Sequence, residues 1–332
     1  MRAVRLHGIA DLRVEEIEPP PPPRPGEVRL KLAAASICGS DLHNFKTGAW
    51  ISRLPCVAGH EFTGMVTAVG EGVTHVASGQ RVIVDSRWTC GECPPCRAGR
   101  GQVCDRLGYL GEVTDGGFAE AVTIPAHNVM AAPESVPDRH LVLAEPLAVA
   151  LHTLRRLNPR PAEPICITGC GAIGGLVALL ASRAGHPLKL IDRNNKRTAL
   201  VAKATGADII SLETLAPLRL SYAVESTGNH QVLTTLLDTI AGCGAIAVVG
   251  IGRAAPVIDP VKLVERELAL FGCHAFTNED LRDINALLPA LSPVLDSFIA
   301  EQIPLSAVPD AYARHLAGTV DGVKSIILCD AS

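Results

Sequence analysis

The chain has 332 residues, of which 48% are hydrophobic, and its formal net charge is −4. This length allows two domains, each with a substantial core. The slightly acidic balance and the lack of a basic block argue against nucleic acid or a membrane surface as a partner. No stretch approaches the roughly 18 unbroken apolar residues of a membrane span, and the amino terminus lacks an apolar signal core. We therefore expect a cytoplasmic protein.

The first 145 residues carry short alternating apolar stretches, such as 28–32 and 81–84, with glycine and proline between them. This pattern predicts an antiparallel β region with irregular loops. The proline run 19–23 excludes a helix or an internal strand, so we interpret it as an extended surface connector between two early strands. A polyproline ligand for a docking partner is the alternative interpretation.

Separated segments of this region hold potential ligands of a catalytic metal. Cys38 begins the string CGSDLH, His60 and Glu61 lie in AGHEF, and Glu145 lies in AEPLAVALH. Each residue alone is explained by an ordinary role, such as a buried thiol, a core histidine or a helix-capping carboxylate. Together they supply soft, borderline and hard donors from a glycine-rich region, which is what an open catalytic zinc site needs.

Four further cysteines follow the pattern C-x2-C-x2-C-x7-C: Cys90, Cys93, Cys96 and Cys104. Such short steps let a tight loop direct several sulfur atoms at one Zn²⁺ ion, which would order a segment (about 88–106) that has no core of its own. Because four protein ligands leave no position for substrate, we predict a structural zinc, with a redox or disulfide loop as the alternative. The other six cysteines are expected to be buried, reduced thiols: Cys56, Cys166, Cys170, Cys243, Cys273 and Cys329.

From about residue 146 the pattern changes to buried strands that alternate with helices. Apolar runs predict six strands near 165–168, 188–191, 207–211, 222–224, 245–249 and 268–271. This alternation predicts a doubly wound parallel sheet of the dinucleotide-binding kind. A helix over 278–291 and a strand over 325–328 follow, and we expect this tail to return to the first domain. The predicted domains are therefore 1–145 with 275–332, and 146–274.

The string ICITGCGAIG at 165–174 is an apolar strand followed by G-x-G-x-x-G at Gly169, Gly171 and Gly174. The first glycine permits the sharp turn, the second lets the backbone approach a pyrophosphate, and the third lets the next helix pack closely. Amide groups at the start of that helix, at Ala172 and Ile173, would then face the phosphates. A dinucleotide site is therefore predicted here.

Asp192 ends the next strand, LKLID. A carboxylate there accepts hydrogen bonds from both ribose hydroxyls and repels a 2′-phosphate, so we predict NAD rather than NADP. Arg193 and Arg197 favour the opposite choice, because a nearby arginine accommodates the phosphate. A helix-capping role is the structural alternative for Asp192.

With these motifs the chain resembles the zinc-containing medium-chain alcohol dehydrogenases. The resemblance runs through CGSDLH, GHEF, the four cysteines, the EP dipeptide, the glycine motif and the terminal DGVKSIIL. It is closer to the polyol and sugar-acid branch, which includes L-idonate 5-dehydrogenases and sorbitol dehydrogenases, than to ethanol dehydrogenases, because Glu145-Pro146 stands where ethanol dehydrogenases typically place a cysteine ligand. The resemblance implies an α/β protein with a GroES-like β-rich catalytic domain and a Rossmann domain. It also implies two zinc ions per subunit and NAD-dependent oxidation of a secondary hydroxyl.

The resemblance further implies roles at the catalytic metal. Cys38 and His60 are fixed zinc ligands in this scheme. Glu61 is the third ligand or exchanges with water, and Glu145 lies in or just outside the ligand shell. Asp41 matches the carboxylate that holds the zinc-bound histidine in the correct tautomer.

Roles in proton transfer and cofactor binding follow from the same resemblance. Ser40 hydrogen-bonds the reacting hydroxyl, and His43 passes its proton towards solvent. A Lewis-acidic zinc makes that hydroxyl acidic, and the hydride goes to the nicotinamide. The implied contacts of the nicotinamide are Val249, Gly250, Ile251 and Lys324.

The substrate is left open by two departures from the sorbitol dehydrogenase pattern. Ala275-Phe276 replaces an Arg-Tyr pair, and Asn44 replaces a tyrosine that often follows the relay histidine. The candidate substrate contacts are Asn44, Lys46, Arg53, Tyr109 and His274. A threonine-type or simple secondary-alcohol dehydrogenase is therefore the alternative, whereas the ligand set disfavours a non-catalytic nucleotide-binding protein. The resemblance also implies a homodimer that pairs through the strand at 268–271, or a homotetramer as a dimer of dimers.

Overall fold

The computed structural model describes residues 1–252, 254–256 and 258–329. The chain divides into two compact units. The first unit contains Met1–Glu145, Thr277–Val320 and Lys324–Ser332, and the second contains Pro146–Phe276 and Asp321–Val323. The chain therefore enters the second unit at Pro146 and returns to the first unit at Thr277, apart from Asp321–Val323. The predicted boundaries were residues 146 and 275. Residues 330–332 of the predicted catalytic domain lie outside the described residues.

The helices and strands up to residue 157 are mostly short. They are β1 (Arg2–Gly8), β2 (Asp11–Glu16), β3 (Glu27–Ser36), α1 (Gly39–Thr47), β4 (Cys56–Val57), β5 (Glu61–Val69), β6 (Arg81–Val84), β7 (Arg87–Trp88), α2 (Pro94–Arg97), β8 (Gly108–Tyr109), β9 (Ala121–Pro125), β10 (Val129–Ala131), α3 (Asp138–Leu141) and α4 (Ala144–Leu157).

The remaining elements alternate more regularly. They are β11 (Ile165–Thr168), α5 (Ala172–Arg183), β12 (Leu188–Ile191), α6 (Asn195–Thr205), β13 (Asp208–Ile209), β14 (Tyr222–Glu225), α7 (His230–Thr239), β15 (Ala245–Val248), α8 (Pro260–Glu265), β16 (Ala269–Gly272), α9 (Asn278–Leu295), β17 (Ile299–Pro304), α10 (Val308–Leu316) and β18 (Lys324–Leu328).

The first unit is built on a seven-stranded sheet with the order β10-β6-β5-β3-β18-β17, in which β9 also pairs with β3. Its alternation is clear in β3, where Val28, Leu30 and Leu32 are buried and Lys31 is exposed, as a sheet with one face on a core requires. Two smaller sheets, β2-β1-β4 and β7-β8, complete the unit. This confirms the predicted β-rich region.

The proline run lies between β2 and β3, as predicted. The guanidinium of Arg29 donates a hydrogen bond to the carbonyl of Pro20, and the hydroxyl of Thr123 donates to the carbonyl of Pro21 at 3.3 Å. The connector is thus held against β3 and β9 through carbonyls that no helix or sheet uses.

The second unit contains a parallel sheet of six strands in the order β13-β12-β11-β14-β15-β16. Its central strand β11 is buried along its whole length, and α5 buries an apolar face beside it. Strand order and connections are those of a Rossmann fold, so the predicted doubly wound sheet is confirmed.

Two local predictions need correction. Helix α9 runs on to Leu295 although Pro289 and Pro293 lie inside it, because Leu288, Leu291 and Leu295 are buried and offset a proline cost of about 3 kcal/mol. Of the six cysteines predicted to be buried, Cys243 is exposed, since it lies in the glycine-rich turn before β15 with φ at +57°, and Cys273, just beyond the end of β16, is half-buried. Among the described helices, none combines the length and the apolar character that crossing a membrane demands.

Candidate active site

Cys38, His60 and Glu61 form one cluster in the first unit, and one donor atom from each lies within 4.8 Å of the others. The fold explains the grouping. Strands β3 and β5 pair with Ser36 opposite Glu61, so the residues just beyond the end of β3 meet those at the start of β5. His60 and Glu61 are buried, and Cys38 is half-buried at the start of α1.

Asp41 contacts two members of this cluster, through a hydrogen bond to Cys38 and an ion-pair contact with His60. Its Oδ2 accepts a hydrogen bond from the backbone N–H of Cys38 at 2.8 Å, and its Oδ1 lies 3.2 Å from Nδ1 of His60. Burial lowers the pKa of His60, but Asp41 and Cys38 outweigh it and hold that pKa well above the ordinary value. The surroundings of the imidazole therefore stabilise a positive charge, which is a condition for a metal cation.

The two oxygens of the Glu61 carboxylate differ in their contacts. Its Oε2 accepts hydrogen bonds from the hydroxyl of Ser36 and the ammonium of Lys324, while its Oε1 is buried without a hydrogen-bond partner. A buried acceptor left unpaired is costly. A cation held by Cys38, His60 and this oxygen would remove that cost, so the donor set fits zinc.

Lys324 is fully buried in β18 and also donates to the carbonyl of Ile37 at 3.0 Å. Burial lowers the pKa of Lys324, but the negative charges of Glu61 and Cys38 raise it by a larger amount. The pKa of Lys324 therefore lies above its ordinary value. The lysine is therefore a charged partner of Glu61. Its predicted contact with the nicotinamide stays a prediction.

Glu145, at the start of α4, does not belong to the three-residue cluster. Its Oε1 accepts a hydrogen bond from the hydroxyl of Ser86 at 3.2 Å. Burial, reinforced by Glu61 and opposed by His60 and Lys324, raises the pKa of Glu145 to about 7. The structure thus brings Glu61 into the cluster and leaves Glu145 as a buried carboxylate near it.

The two residues of the predicted proton relay lie on α1. The hydroxyl of Ser40 is 3.4 Å from Nε2 of His60. The ring of His43 stacks on the indole of Trp50, with 4.5 Å between centroids. Tyr109 also faces the cluster, because its ring centroid is 6.0 Å from that of His60.

The four cysteines of segment 90–104 converge as predicted from their spacing. The Sγ–Sγ distances are 3.5 Å for Cys90–Cys104, 3.8 Å for Cys93–Cys104 and 4.0 Å for Cys90–Cys96. Sulfur atoms arranged tetrahedrally at 2.3 Å from one zinc are about 3.8 Å apart, whereas a disulfide needs about 2.05 Å. Backbone amides of Glu92 and Cys93 lower the pKa of the Cys90 thiol to about 6, whereas burial and the neighbouring thiols raise the pKa of the Cys96 thiol to about 12. The arrangement fits a zinc ion and not a disulfide.

The glycine motif has the geometry of a dinucleotide loop. Gly169 has φ +90°, and a Cβ on Gly174 would lie 1.8 Å from the carbonyl oxygen of Gly169. A Cβ on Gly171, by contrast, would meet no protein atom within 4 Å. The space above Gly171 is therefore open for a pyrophosphate, and Ala172 and Ile173 begin α5 directly beyond it.

Asp192 stands at the end of β12, and both its oxygens accept backbone hydrogen bonds, from Cys170 at 2.6 Å and Asn194 at 2.8 Å. Arg193 is exposed. The Nε of Arg197 donates to the carbonyl of Gly322 at 3.1 Å, which holds its guanidinium within the second unit. The alternative interpretation of Asp192 was that it caps α6. The residue that caps α6 is instead Asn194, whose side chain accepts a hydrogen bond from the backbone N–H of Arg197.

The predicted nicotinamide segment 249–251 follows β15. The amides of Val249 and Gly250 donate to the carbonyl of Glu225 at 2.9 and 3.0 Å, and Ile251 is 69% exposed. The Glu225 carboxylate also accepts from the amides of Thr227 and Gly228. Glu225 thus ties together the two loops at this edge of the sheet.

Sequence reasoning missed three supporting residues: Ser36, Ser86 and Glu225. Glu225 could have been found, because it ends a buried parallel strand as Asp192 does, and such ends form ligand sites. Ser36 and Ser86 carry no comparable signal, because a serine at the end of a strand is too common to indicate a carboxylate partner.

Two protein families match parts of the chain. The alcohol dehydrogenase GroES-like domain matches residues 24–134, and ketopantoate reductase PanE/ApbA matches residues 165–229. The first match includes both clusters of potential metal ligands but not Glu145, and the second covers the glycine motif and Asp192.

Relatives match nearly the whole length. A 2-dehydro-3-deoxy-L-galactonate 5-dehydrogenase of Pseudoalteromonas atlantica is 30% identical, over 93% of each chain. An L-threonine 3-dehydrogenase of Bacillus licheniformis is 34% identical, over 87% of this chain and 88% of the relative. Among solved structures, the RspB alcohol dehydrogenase of Escherichia coli CFT073 in complex with NADH superposes with a TM-score of 0.91 at 27% identity, covering 99% of each chain. The chain belongs to the zinc-dependent medium-chain alcohol dehydrogenase family.

Proposed function

We propose that the protein is a zinc- and NAD-dependent dehydrogenase that transfers hydride between a secondary hydroxyl of a polyol or sugar acid and the cofactor. The observation that carries this proposal is the cluster of Cys38, His60 and Glu61, in which Oε1 of Glu61 is buried without a hydrogen-bond partner. A zinc ion bound there supplies Lewis acidity, which makes the substrate hydroxyl a stronger acid.

Each residue around the cluster has a defined task in this proposal. Asp41 fixes the Cys38 backbone and the His60 ring, so that both ligands are oriented before a metal binds. Lys324 balances the charge of Glu61 and leaves one of its oxygens for the metal. Glu145, with a pKa of about 7, holds a proton or a charge according to the ionisation of its neighbours.

Proton transfer is assigned to α1. Ser40 lies beside His60 and is placed to accept a hydrogen bond from the substrate hydroxyl and donate its own proton onward. His43 is the residue of α1 whose ordinary pKa suits release of that proton to solvent near neutral pH. Val249, Gly250 and Ile251 are the proposed nicotinamide contacts in the second unit.

NAD is the proposed cofactor rather than NADP. The carboxylate of Asp192 repels a 2′-phosphate, and Nε of Arg197 already donates to the carbonyl of Gly322. We expect kcat/KM to favour NAD in the wild type, and Asp192→Ala to reduce that preference about tenfold or more, the effect of one lost charged hydrogen bond. An unchanged preference in the variant would contradict this assignment.

The structural zinc is assigned to Cys90, Cys93, Cys96 and Cys104, which gives two zinc ions per chain. The proposed assembly is a homodimer formed by the edge strand β16, or a homotetramer made from two such dimers. Within the described sheet β16 pairs only with β15, so its other edge carries unpaired backbone groups that a second copy would satisfy. Light scattering of the purified protein distinguishes these states from a monomer.

The second candidate is a threonine-type dehydrogenase, favoured by the L-threonine 3-dehydrogenase of Bacillus licheniformis at 34% identity. A panel of polyols, aldonates, threonine and butan-2-ol with NAD separates the candidates. We expect the highest kcat/KM for a polyol or aldonate. Turnover of threonine or butan-2-ol alone would refute the polyol assignment but leave the dehydrogenase assignment standing.

A further inference from the structure

Asn44 is a buried amide on α1 whose two polar ends are both used inside the protein. Only 3% of the residue is exposed. Its Nδ2 donates to Oε1 of Glu112 at 2.8 Å, and its Oδ1 accepts from the backbone N–H of Trp50 at 3.2 Å. A residue that stands among the candidate substrate contacts in the sequence is therefore committed to internal contacts.

The partners of Asn44 come from two separate segments. Glu112 lies in the loop after β8 and is 5% exposed, and its backbone carbonyl accepts from the amide of Ser52 at 3.2 Å. Trp50 lies in the segment that follows α1. Asn44 and Glu112 together therefore hold residues 50–52 against the helix that carries Ser40, Asp41 and His43.

The held residue, Trp50, is the one that covers His43. The two rings stack at 4.5 Å with a tilt of 35°, while 39% of Trp50 remains exposed. Hydrogen bonds also hold the backbone on either side of Trp50, from the amide of Ala49 to the hydroxyl of Thr47 at 3.2 Å and from the amide of Ile51 to the carbonyl of Gly48 at 3.3 Å, and Asn44 holds the backbone of Trp50 directly. The position of the indole in turn limits the orientations of the His43 ring.

We propose that Asn44, with Glu112, is a positioning residue that holds Trp50 against His43 and so orients the imidazole for proton release. The inference rests on the proposed function for its kinetic consequence, but its structural part does not. Asn44 itself touches neither substrate nor cofactor in this scheme.

The test uses the full-length protein with Trp88→Phe, because Trp50 and Trp88 are the two tryptophans of the chain. In this background, Asn44→Ala is expected to raise the acrylamide quenching constant of Trp50 about twofold. It should also lower kcat about tenfold with little change in the KM for NAD, and increase the solvent deuterium isotope effect on kcat. General base catalysis typically accelerates a reaction by about 10²- to 10⁴-fold, and we expect a poorly oriented base to lose about 10- to 100-fold of that acceleration.

Matched variants separate positioning from general destabilisation. Asn285→Ala removes another side-chain amide of the same unit, which donates to the carbonyl of Ala131 at 2.9 Å, and should leave quenching and isotope effect unchanged. Glu112→Gln keeps an acceptor for Asn44 and should behave like the parent, whereas Glu112→Ala should behave like Asn44→Ala. If Asn44→Ala does not fold, Glu112→Ala is the variant that decides.

The outcomes distinguish this inference from the proposed function. Quenching and isotope effect that match those of Asn285→Ala would overturn the role of Asn44, even in a fully active dehydrogenase. Conversely, a parent protein that oxidises no alcohol would refute the proposed function, while a rise in Trp50 quenching would still support the Asn44–Glu112–Trp50 arrangement. A higher kcat in Glu112→Gln than in Glu112→Ala supports positioning through the hydrogen bond rather than through charge.

Discussion

Two clusters of potential metal ligands lie in the same unit, and they are built in opposite ways. The four cysteines come from one segment of fifteen residues, and three of them are half-buried. The cluster of Cys38, His60 and Glu61 is assembled from distant strands, and its histidine and carboxylate are buried. A local set of four sulfurs satisfies a metal completely, whereas a mixed set of three leaves a position for another ligand.

The residues that surround the two clusters also differ in how far apart they lie in the sequence. Few side chains outside the four-cysteine segment are needed to keep its sulfurs together, and backbone amides of Cys90 and Arg106 donate to Sγ of Cys104 at 3.4 and 3.3 Å. The buried cluster depends on Asp41, Ser36 and Lys324, each from a different element. A cluster formed within one short segment, such as the four cysteines, suits a metal that stabilises the fold. A cluster supported by several distant elements, such as that of Cys38, His60 and Glu61, suits a catalytic site whose charge must be controlled.

The largest expected effect separates the clusters by activity. Cys38→Ala removes one of three donors, and we expect kcat/KM for the best substrate to fall about 10³-fold or more, since Lewis-acid stabilisation is worth several kcal/mol. The circular dichroism spectrum and NADH binding should be retained. Cys243→Ala, at an exposed thiol outside both clusters, is the control and should keep full activity. Comparable activity in Cys38→Ala and the parent would refute the catalytic role of the cluster that contains Cys38.

The complementary variant separates them by stability. Cys93→Ala opens the four-sulfur site, and we expect the melting temperature to fall by roughly 10 °C because the segment loses the metal that orders it. Activity per folded molecule should stay within about twofold of the parent. Differential scanning calorimetry with activity assays below the transition measures both quantities. A variant that melts like the parent would show that the four cysteines do not hold a stabilising ion.

A smaller effect tests the support of the buried cluster. Asp41→Asn keeps the size of the side chain but removes the charge beside Nδ1 of His60, and loss of such a partner costs about 10- to 100-fold in activity or metal affinity. Asp138→Asn breaks an ion pair with Arg81 in the same unit and serves as the control, with activity unchanged. Equal activity in the two variants would show that Asp41 does not orient the ligand.

The smallest expected effect concerns Asp296, which lies outside both clusters. It shows how much an ordinary ion pair at the surface contributes to stability. Hydrogen bonds from Arg139 and then His140 lower the pKa of Asp296 below its ordinary value. A carboxylate with a depressed pKa in the folded state stabilises the fold above its unfolded pKa of about 4 and loses that contribution as the pH falls. Because Asp296 is 59% exposed, Asp296→Asn should cost only about 0.5–1 kcal/mol at pH 7, and less below pH 4. Urea unfolding at both pH values checks this, and an equal cost at both would contradict the ionic explanation.

Much of the fold and the four-cysteine cluster could be predicted because their signals are local. The spacing of the four cysteines and the string ICITGCGAIG each specify a compact geometry within a few residues. The donor types of Cys38, His60 and Glu61 indicated a catalytic zinc site, but the role of each residue needed the resemblance to a known family, since no local rule brings the end of β3 to the start of β5.

What the sequence could not predict depends on contacts between distant residues. Lys324 and Glu61 are 263 positions apart, and their pairing follows from the order of β5, β3 and β18 in one sheet. Asn44 was expected to face a substrate, but a buried amide bonds to whatever polar groups the neighbouring loops provide. Cys243 was expected to be buried because its neighbours are apolar, although those neighbours belong to β15 and the thiol belongs to the turn.

The most direct test of the central claim is the zinc content of the purified protein, measured together with activity during chelation and restoration of the metal. We expect two zinc ions per chain, one of which is removed by a chelator with complete loss of activity and recovery when zinc is added. Cys38→Ala should hold one zinc and stay inactive. Full activity in protein that holds no zinc beyond the ion of the four cysteines would contradict the account.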